Sequence, residues 1–320
     1  MKRVRVLVCG TNYGLIYREA IRLAPRMFEL AGIFARGSTR SREAAKESGV
    51  LLYQQVESLP GDIDIACDAM GTSGEEVVLG LLERGIHVLC EHPHKPDFLD
   101  AAMRTAADHG ACFHVNGHFA SLKAASVFIQ CCTVARSYGA PIFLDAMVTD
   151  RSTYAALDIF RKVTNTLEPC RLSACDYSSP FVTIKGAIGG VPTTFQIQRS
   201  GTKGHIILTD GDARYIVDLR LAVSFPQGVL SMLSTAGPVI WNSNIYRLLA
   251  PNQPMWQHLY HKPKTKFDLY KQTVRANLLA VRCLVKSARE HVVPEEQTRE
   301  HIMDVSLAWD RIITLVRDAL

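Results

Sequence analysis

No apolar run in this sequence approaches the roughly 20 residues that a helix needs to cross a bilayer, and the N-terminus lacks the apolar core of a secretory signal. The nine cysteines form no C-x-x-C pair and show no spacing typical of a metal site, so we expect no metal ion and a reducing compartment. The basic residues are dispersed despite a formal net charge of +5, which disfavours a nucleic-acid surface. These absences predict a cytoplasmic protein with neither a membrane nor a nucleic-acid partner.

The 320 residues, 48% of them hydrophobic, are enough for two domains with sizeable cores. The N-terminal part alternates between short apolar runs and helical patterns, which predicts a parallel sheet with helices on both faces. Its strand candidates are Arg3–Cys9, Leu30–Ala35, Ile63–Ala69, His87–Cys90 and Cys112–Val115. Its helix candidates are Gly74–Arg84 and Phe98–His109, and Ala124–Tyr138 is expected to cross into a second domain. We therefore predict an α/β chain with a Rossmann dinucleotide-binding domain over residues 1–122.

The remaining residues, 123–320, are richer in strand patterns separated by Gly, Pro and Asp turns. The strand candidates are Ile142–Val148, Arg171–Tyr177, Phe181–Ala187, Thr193–Arg199, His205–Thr209 and Ala213–Asp218. Two long helical patterns follow, Phe267–His291 and Glu295–Leu320. We predict an α+β domain with a largely antiparallel sheet that binds substrate, and by analogy of fold a homodimer.

A glycine turn follows the first predicted strand. The sequence Gly10-Thr11-Asn12-Tyr13-Gly14 leads into a helical pattern, and strand, glycine turn and helix is the order of a dinucleotide-binding motif, in which helix amides face the pyrophosphate. Asn12 takes the place of the second glycine of G-x-G-x-x-G, and asparagine tolerates left-handed dihedral angles better than other side chains.

The turn after the second predicted strand indicates which nucleotide is bound. Arg36 and Arg40 bracket Ser38 and Thr39, and no carboxylate is present to accept hydrogen bonds from a ribose 2′-hydroxyl. Cations and hydroxyl groups suit a 2′-phosphate, so we predict NADPH as the cofactor, although the same residues also suit a solvated helix start. Gly71 and Thr72 follow another strand and are expected beside it. The predicted cofactor-binding residues are Gly10, Thr11, Asn12, Tyr13, Gly14, Arg36, Ser38, Thr39, Arg40, Gly71, Thr72 and Glu91.

Polar residues end the strand His87–Cys90, namely Glu91 and His92 before Pro93. This pattern resembles the Glu-Lys-Pro strand end of the Gfo/Idh/MocA oxidoreductases, in which the lysine faces substrate and nicotinamide. Here His92 takes the place of the lysine. Since such a lysine serves as a base for oxidising a sugar hydroxyl, its absence weakens a sugar-dehydrogenase interpretation. In a shifted register, Lys95 would enter the site instead.

Within that group the chain is similar to the thiazolinyl imine reductases of siderophore biosynthesis, of the pyochelin and yersiniabactin type. The resemblance is carried by Cys9–Gly14, Leu30–Ser38, Glu91–Pro93 and Val115–Asn116. It implies NADPH-dependent reduction of a thiazoline C=N bond to a thiazolidine, on an intermediate held by a carrier domain of a nonribosomal peptide synthetase. Hydride goes to the imine carbon and one proton to the nitrogen.

Three residues are candidates for the catalytic proton donor. His92 has the position in the motif, Glu91 either orients it or donates directly, and His118 follows the strand that ends at Val115. The thiazolinyl reductases carry a tyrosine in this neighbourhood as a suspected acid. This sequence has none there, which makes His118 the substitute.

Two other functions remain open from the sequence. One is a different oxidoreductase of the same fold, such as a sugar or cyclitol dehydrogenase or a biliverdin-type reductase. The other is a regulator that binds NADP without catalysis, because members of a fold can lose chemistry and keep binding. Turnover of a polyol would favour the first, and nucleotide affinity without turnover the second.

Overall fold

The computed structural model describes residues 2–176, 181–198, 218–244, 252, 254–260 and 265–318. Its strands are β1 Val4–Cys9, β2 Phe28–Phe34, β3 Leu52–Tyr53, β4 Ile65–Asp68, β5 His87–Cys90, β6 Phe113–Val115, β7 Phe143–Thr149, β8 Arg171–Asp176, β9 Phe181–Ile188, β10 Val191–Gln198, β11 Leu219–Phe225, β12 Gly228–Met232, β13 Val239–Ser243 and β14 Trp256–Tyr260. Its α-helices are α1 Gly14–Arg22, α2 Thr39–Ser48, α3 Glu75–Glu83, α4 Pro96–Asp108, α5 Lys123–Arg136, α6 Thr153–Thr164, α7 Lys266–Glu290 and α8 Arg299–Asp318.

The chain divides into two compact units. The first comprises residues 1–118 and 270–303, and the second comprises residues 119–269 and 304–320. The first unit is therefore discontinuous in sequence, because most of α7 belongs to it. The division between residues 122 and 123 that the sequence indicates stays a prediction.

A six-stranded parallel sheet in the order β3-β2-β1-β4-β5-β6 forms the centre of the first unit. Its strands are short apolar runs buried on both faces, as in Val4–Cys9, which is what helices packed on both faces require. The strand order reverses between β1 and β4. In open α/β sheets a ligand binds outside the carboxyl ends of the strands at such a reversal, so the candidate site is expected there.

Helix α7 completes the core of this unit. Its residues Val274, Leu278, Val281, Leu284 and Val285 join the buried cluster that also contains side chains of β1, α1, β2, β4 and β5. These positions recur every three to four residues and so lie on one face of the helix. The first unit is therefore built from two separate stretches of sequence.

The second unit contains an eight-stranded sheet in the order β14-β13-β12-β11-β7-β10-β9-β8. Its strand pairs are antiparallel except for β7 with β10, which are parallel. Helix α6 is buried over most of its length. The predicted fold class is confirmed: a Rossmann-type parallel sheet at the N-terminus and a mostly antiparallel sheet after it.

Most of the predicted strands are found within a few residues of their expected bounds, and His87–Cys90 has the same bounds. Strand β3 and the four strands β11 to β14 were not predicted from the sequence. The predicted strand His205–Thr209 and nearly all of Ala213–Asp218 lie outside the described residues. Among the described helices, none combines the length and apolar composition needed to cross a bilayer.

Candidate active site

The glycine turn between β1 and α1 has the features of a phosphate-binding loop. Gly10 has φ +91°, and a Cβ atom there would lie 2.8 Å from the carbonyl oxygen of Ala69 at the end of the neighbouring strand. A Cβ atom on Gly14 would lie 3.0 Å from Val8. Helix α1 begins without a side-chain cap and without an acidic residue in its first turn. Its N-terminal amides therefore suit an anionic group.

The left-handed position in this turn is Gly10. Asn12 is exposed, and its φ is not positive. The tolerance of asparagine for left-handed dihedral angles is therefore not needed here, because Gly10 makes the turn. Thr11 and Tyr13 are partly buried beside it.

The turn between β2 and α2 presents the polar side chains that the sequence analysis selected. Arg36, Ser38, Thr39 and Arg40 are all exposed. Gly37 makes the turn with φ +81°, and Ser38 caps α2 by accepting a hydrogen bond from the backbone N–H of Ser41 at 3.3 Å. Two guanidinium groups and two hydroxyl groups thus stand at one surface turn, which fits a nucleotide ribose phosphate.

A further turn follows β4. Gly71 has φ +61°, and Thr72 is exposed next to it. Asp68, the last residue of β4, is fully buried, and this burial raises its pKa to about 7. Asp68 is not among the site residues predicted from the sequence.

Glu91 is the centre of a buried hydrogen-bonded group at the carboxyl ends of β5 and β6. Its Oε2 atom accepts hydrogen bonds from the Tyr17 hydroxyl at 2.8 Å and from Asn116 Nδ2 at 3.0 Å. Its Oε1 atom lies 3.5 Å from Nδ1 of His118 and 4.0 Å from Nε2 of His92. All three predicted catalytic residues, Glu91, His92 and His118, therefore lie together.

Tyr13 connects the glycine turn with this group. Its hydroxyl lies 3.0 Å from Nε2 of His118, and it accepts a hydrogen bond from Asn277 Nδ2 at 3.1 Å. The rings of His118 and His92 are stacked with centroids 6.0 Å apart. The hydroxyl of Tyr13, at the start of α1, thus lies beside His118, although the sequence around His118 contains no tyrosine.

The electrostatics favour a neutral Glu91. Burial raises the pKa of its carboxyl to about 8, and the nearby Asp68 adds to this rise, while hydrogen bonds from Tyr17 and Asn116 act in the opposite direction. Glu91 is therefore mainly a carboxylic acid at pH 7 and is able to give a proton. Burial also raises the pKa of the Tyr13 hydroxyl, so this group keeps its proton.

A second buried group lies behind Glu91. His94 Nε2 lies 3.4 Å from the Cys90 thiol, and His94 Nδ1 lies 2.9 Å from Glu75. The Cys90 sulfur is 3.7 Å from Asp68. Lys95, the residue of the alternative register, is exposed at the start of α4.

Within the part of the chain that the structure describes, two sets of side chains have the spacing of a metal site. They are Asp68, Cys90 and His94, and Glu91, His92 and His118. Both sets have hydrogen-bond or ion-pair geometry among the side chains themselves. The expected absence of a metal stays a prediction.

Three residues of this group were not predicted from the sequence. They are Tyr17, Asn277 and Asn116, which donates a hydrogen bond to Glu91. Tyr17 stands four residues after Tyr13, a spacing that places both on one face of α1, and this signal was available. Asn277 is a fully buried amide in an otherwise apolar stripe of α7. Nothing in the sequence around it points to the site, because it lies far from the other members along the chain.

The strand order, the glycine turn and the ligand-facing edge define a dinucleotide-binding Rossmann domain. Residues 4–117 match the family model GFO_IDH_MocA, described as an oxidoreductase family with an NAD-binding Rossmann fold. These residues are therefore similar to the NAD-binding Rossmann domain of that oxidoreductase family. No curated protein matches the chain by sequence.

Several solved structures share the fold over the whole chain. UDP-N-acetylglucosamine 3-dehydrogenase from Acidithiobacillus ferrooxidans matches with a TM-score of 0.72 and 16% identity, covering 100% of this chain and 99% of the other. Levoglucosan dehydrogenase, in complex with NADH and L-sorbose, matches with a TM-score of 0.74 and 11% identity, covering 99% of this chain and 97% of the other. A protein described as a putative myo-inositol dehydrogenase, from Sinorhizobium meliloti, matches with 0.69 and 13%, covering 98% of each. At these identities the likeness establishes the fold.

Proposed function

We propose that the protein reduces a thiazoline C=N bond to a thiazolidine with NADPH, on a siderophore intermediate tethered to a nonribosomal peptide synthetase carrier domain. The observation that carries the proposal is the buried Glu91 carboxyl, whose pKa is raised to about 8. Reduction of an imine needs a proton donor at neutral pH, and a neutral carboxylic acid is one. Oxidation of an alcohol needs a base, and His92 stands where the related sugar enzymes have a lysine.

The cofactor would be held by residues at the carboxyl edge of the parallel sheet. The turn Gly10–Gly14 would receive the pyrophosphate on the amides of α1, and Gly71 and Thr72 would adjoin it. Arg36, Ser38, Thr39 and Arg40 would bind the 2′-phosphate. The bound nicotinamide supplies the hydride for the reduction.

The protein side chains supply the proton and hold its donor. Glu91 would give its proton to the developing amine nitrogen. Tyr17 and Asn116 already donate hydrogen bonds to Oε2 of Glu91, so they would stabilise the carboxylate that remains. His118 and His92 flank the other carboxyl oxygen and would strengthen this stabilisation.

A dehydrogenase of a sugar or cyclitol is the second candidate. It is favoured by the whole-chain likeness to UDP-N-acetylglucosamine 3-dehydrogenase and levoglucosan dehydrogenase. A biliverdin-type reductase or an NADP-sensing regulator would use the same nucleotide site. The reductase would turn over a different substrate, and the regulator would turn over none.

The test follows nicotinamide absorbance with purified protein, NADPH or NADH, and a soluble thiazolinyl-thiazoline acid, then with the same acid loaded on its carrier domain. We expect loss of NADPH and a product heavier by two hydrogens. Glu91→Gln should lower kcat by about 10² to 10⁴, the usual contribution of a general acid. Glu76→Gln, at an exposed carboxylate of α3, is the matched control and should leave kcat unchanged.

Other outcomes separate the alternatives. Oxidation of a sugar or cyclitol with NADP or NAD, without reduction of either thiazoline substrate, would favour the dehydrogenase. Nucleotide binding without turnover of any of these compounds would favour the regulator. In either case the thiazoline proposal is wrong.

A further inference from the structure

The amide of Asn277 fixes the direction of a chain of hydrogen bonds that ends at His118, beside Glu91. Asn277 Nδ2 lies 2.9 Å from the backbone carbonyl of Thr273, which only accepts hydrogen bonds. The Nδ2 group must therefore face Thr273, and the opposite atom, Oδ1, accepts from Asn116 Nδ2 at 2.7 Å. The orientation of the amide is thus set by a backbone group rather than chosen from a symmetric network.

The second hydrogen of Asn277 Nδ2 faces the Tyr13 hydroxyl oxygen, 3.1 Å away. An amide nitrogen accepts no hydrogen bond, so Tyr13 cannot donate to Asn277. The other polar atom at the Tyr13 hydroxyl is Nε2 of His118, at 3.0 Å. The hydroxyl hydrogen of Tyr13 therefore points to Nε2.

A histidine nitrogen that accepts a hydrogen bond carries no hydrogen. In neutral His118 the hydrogen is then on Nδ1, because the hydrogen bond at one ring nitrogen sets the tautomer. Nδ1 faces Oε1 of Glu91 at 3.5 Å. The two hydrogen bonds that lead from Asn277 through Tyr13 to His118 thus point the same way, and they place the hydrogen of neutral His118 on the ring nitrogen nearer to Glu91.

We propose that Asn277 is a positioning residue that holds His118 as the neutral Nδ1–H tautomer, and that Glu91, rather than His118 or His92, is the group that gives the proton to the substrate. The second part rests on the proposed function, and the first part does not. A positively charged His118 would carry a hydrogen on Nε2 facing a Tyr13 oxygen that already accepts from Asn277. The Tyr13 hydrogen would then lose its acceptor, so the arrangement disfavours the imidazolium form.

This direction suits the role of Glu91 as a proton donor. After Glu91 gives up its proton, Oε1 becomes negatively charged, and His118 Nδ1–H lies 3.5 Å from it. A charged oxygen attracts an N–H group more strongly than a neutral oxygen does, so the carboxylate product is stabilised.

The substitution Asn277→Asp reverses the direction of the chain with almost no change in side-chain shape. A carboxylate at this position accepts from the Tyr13 hydroxyl, which frees the Tyr13 oxygen to accept from Nε2–H of His118. The added negative charge also favours protonation of His118. We expect the proton affinity of His118 to rise at least tenfold. Leu279→Asp adds a carboxylate to an exposed position of the same helix and should leave His118 unchanged.

Nitrogen-15 NMR of the imidazole rings in the full chain provides the test, with His118→Gln used to assign the His118 signals. The expected result is an unprotonated Nε2 and a protonated Nδ1 in the wild type at neutral pH, and a shift to the imidazolium form in Asn277→Asp alone. A protonated Nε2 in the wild type would overturn the inference, and this measurement stands even if Asn277→Asp does not fold. An unchanged His118 in folded Asn277→Asp would overturn it as well.

The kinetic consequence keeps this inference separate from the proposed function. In an active enzyme, Asn277→Asp should lower kcat at least tenfold with KM within about twofold, because the substitution alters proton transfer and leaves substrate contacts in place. If no thiazoline substrate is turned over but the wild-type tautomer is as expected, the proposed function fails and the assignment of His118 stands. A change in KM with an unchanged kcat in Asn277→Asp would overturn the assignment of Glu91 as the proton donor.

Discussion

At the scale of single residues, the proton on Glu91 makes the stability of the protein depend on pH. Burial raises the pKa of this carboxyl from 4.5 to about 8. Between these values the folded state keeps a proton that the unfolded state has lost, so stability falls as the pH rises through this range and levels off above the folded pKa. Between about pH 7 and about pH 9, ionisation of Glu91 should lower the free energy of unfolding of the wild type by roughly 1 kcal/mol.

Glu91→Gln removes this term and is compared with the wild type by urea unfolding at both pH values. The free energy of unfolding of the wild type should fall further than that of the variant. The range starts at neutral pH because Asp68, whose pKa is about 7, contributes a similar fall mainly at lower pH. Buried thiols and tyrosines lower stability at the alkaline end of both proteins alike. Identical pH dependence in the two proteins would contradict a buried neutral Glu91.

The sequence indicates part of the site at this scale. Glu91, His92 and His118 are found from the sequence because polar residues that directly follow apolar strands mark the carboxyl ends of a parallel sheet. Asn277 is not found, because its role depends on α7 packing against strands made far earlier in the chain. Tyr13 is assigned to the nucleotide turn from the motif, and only the fold shows that its hydroxyl reaches His118.

At the scale of elements, the turn between β1 and α1 depends on glycine in two ways. Gly10 and Gly49 both have positive φ, so alanine at either position costs roughly 1–2 kcal/mol of backbone strain. Only at Gly10 does the added Cβ atom also meet a carbonyl oxygen, at 2.8 Å, whereas Gly49 has nothing within 4 Å. Gly10→Ala should therefore destabilise the protein more than Gly49→Ala and weaken nucleotide binding at least tenfold.

Thermal unfolding and a fluorescence titration with NADPH measure the two effects. Gly49→Ala, at the end of α2, serves as the control for backbone strain and should keep nucleotide affinity within about twofold. Equal loss of affinity in both variants would mean that the turn is not the nucleotide site.

The proposed preference for NADPH rests on the turn between β2 and α2. Combined Arg36→Ala and Arg40→Ala substitutions remove two exposed guanidinium groups. We expect the Kd for NADPH to rise at least tenfold and the Kd for NADH to change little, because only NADPH has the 2′-phosphate. Arg42→Ala removes an exposed arginine of α2 and is the control. Equal weakening of both nucleotides would argue against NADPH selection by this turn.

Element patterns explain where sequence reasoning succeeds. Strands β1, β2, β4, β5 and β6 are short, mostly apolar and mostly buried, and all were predicted. Strand β11 alternates between buried and partly exposed residues, a weaker signal that was missed. Strand β14 is mostly exposed, so no apolar pattern marks it.

At the scale of the whole molecule, α7 contributes to the stability of the nucleotide-binding unit. Leu284 is fully buried in the cluster shared with β1 and β4, whereas Leu279 on the same helix is 53% exposed. Leu284→Ala should lower the free energy of unfolding by about 2–5 kcal/mol, the range for a large-to-small change in a core. Leu279→Ala should change it by less than about 0.5 kcal/mol.

Urea unfolding of both variants, monitored with and without nucleotide, checks this prediction. A small effect of Leu284→Ala would mean that the first unit holds its core without α7. The expected large effect would mean that a fragment ending at residue 122 lacks a necessary part of its core.

The late position of α7 also sets the order in which the protein matures on the ribosome. Strands β1 to β6 are synthesised first, yet the helix that covers one side of their core is made only after residues 116–265. Nascent chains generally fold domain by domain as they emerge, but this domain must wait with an open apolar face while the second sheet is made. The unit that leaves the ribosome first therefore cannot complete its core until most of the second unit has been synthesised, and a chaperone that shields apolar surface is most useful during that interval.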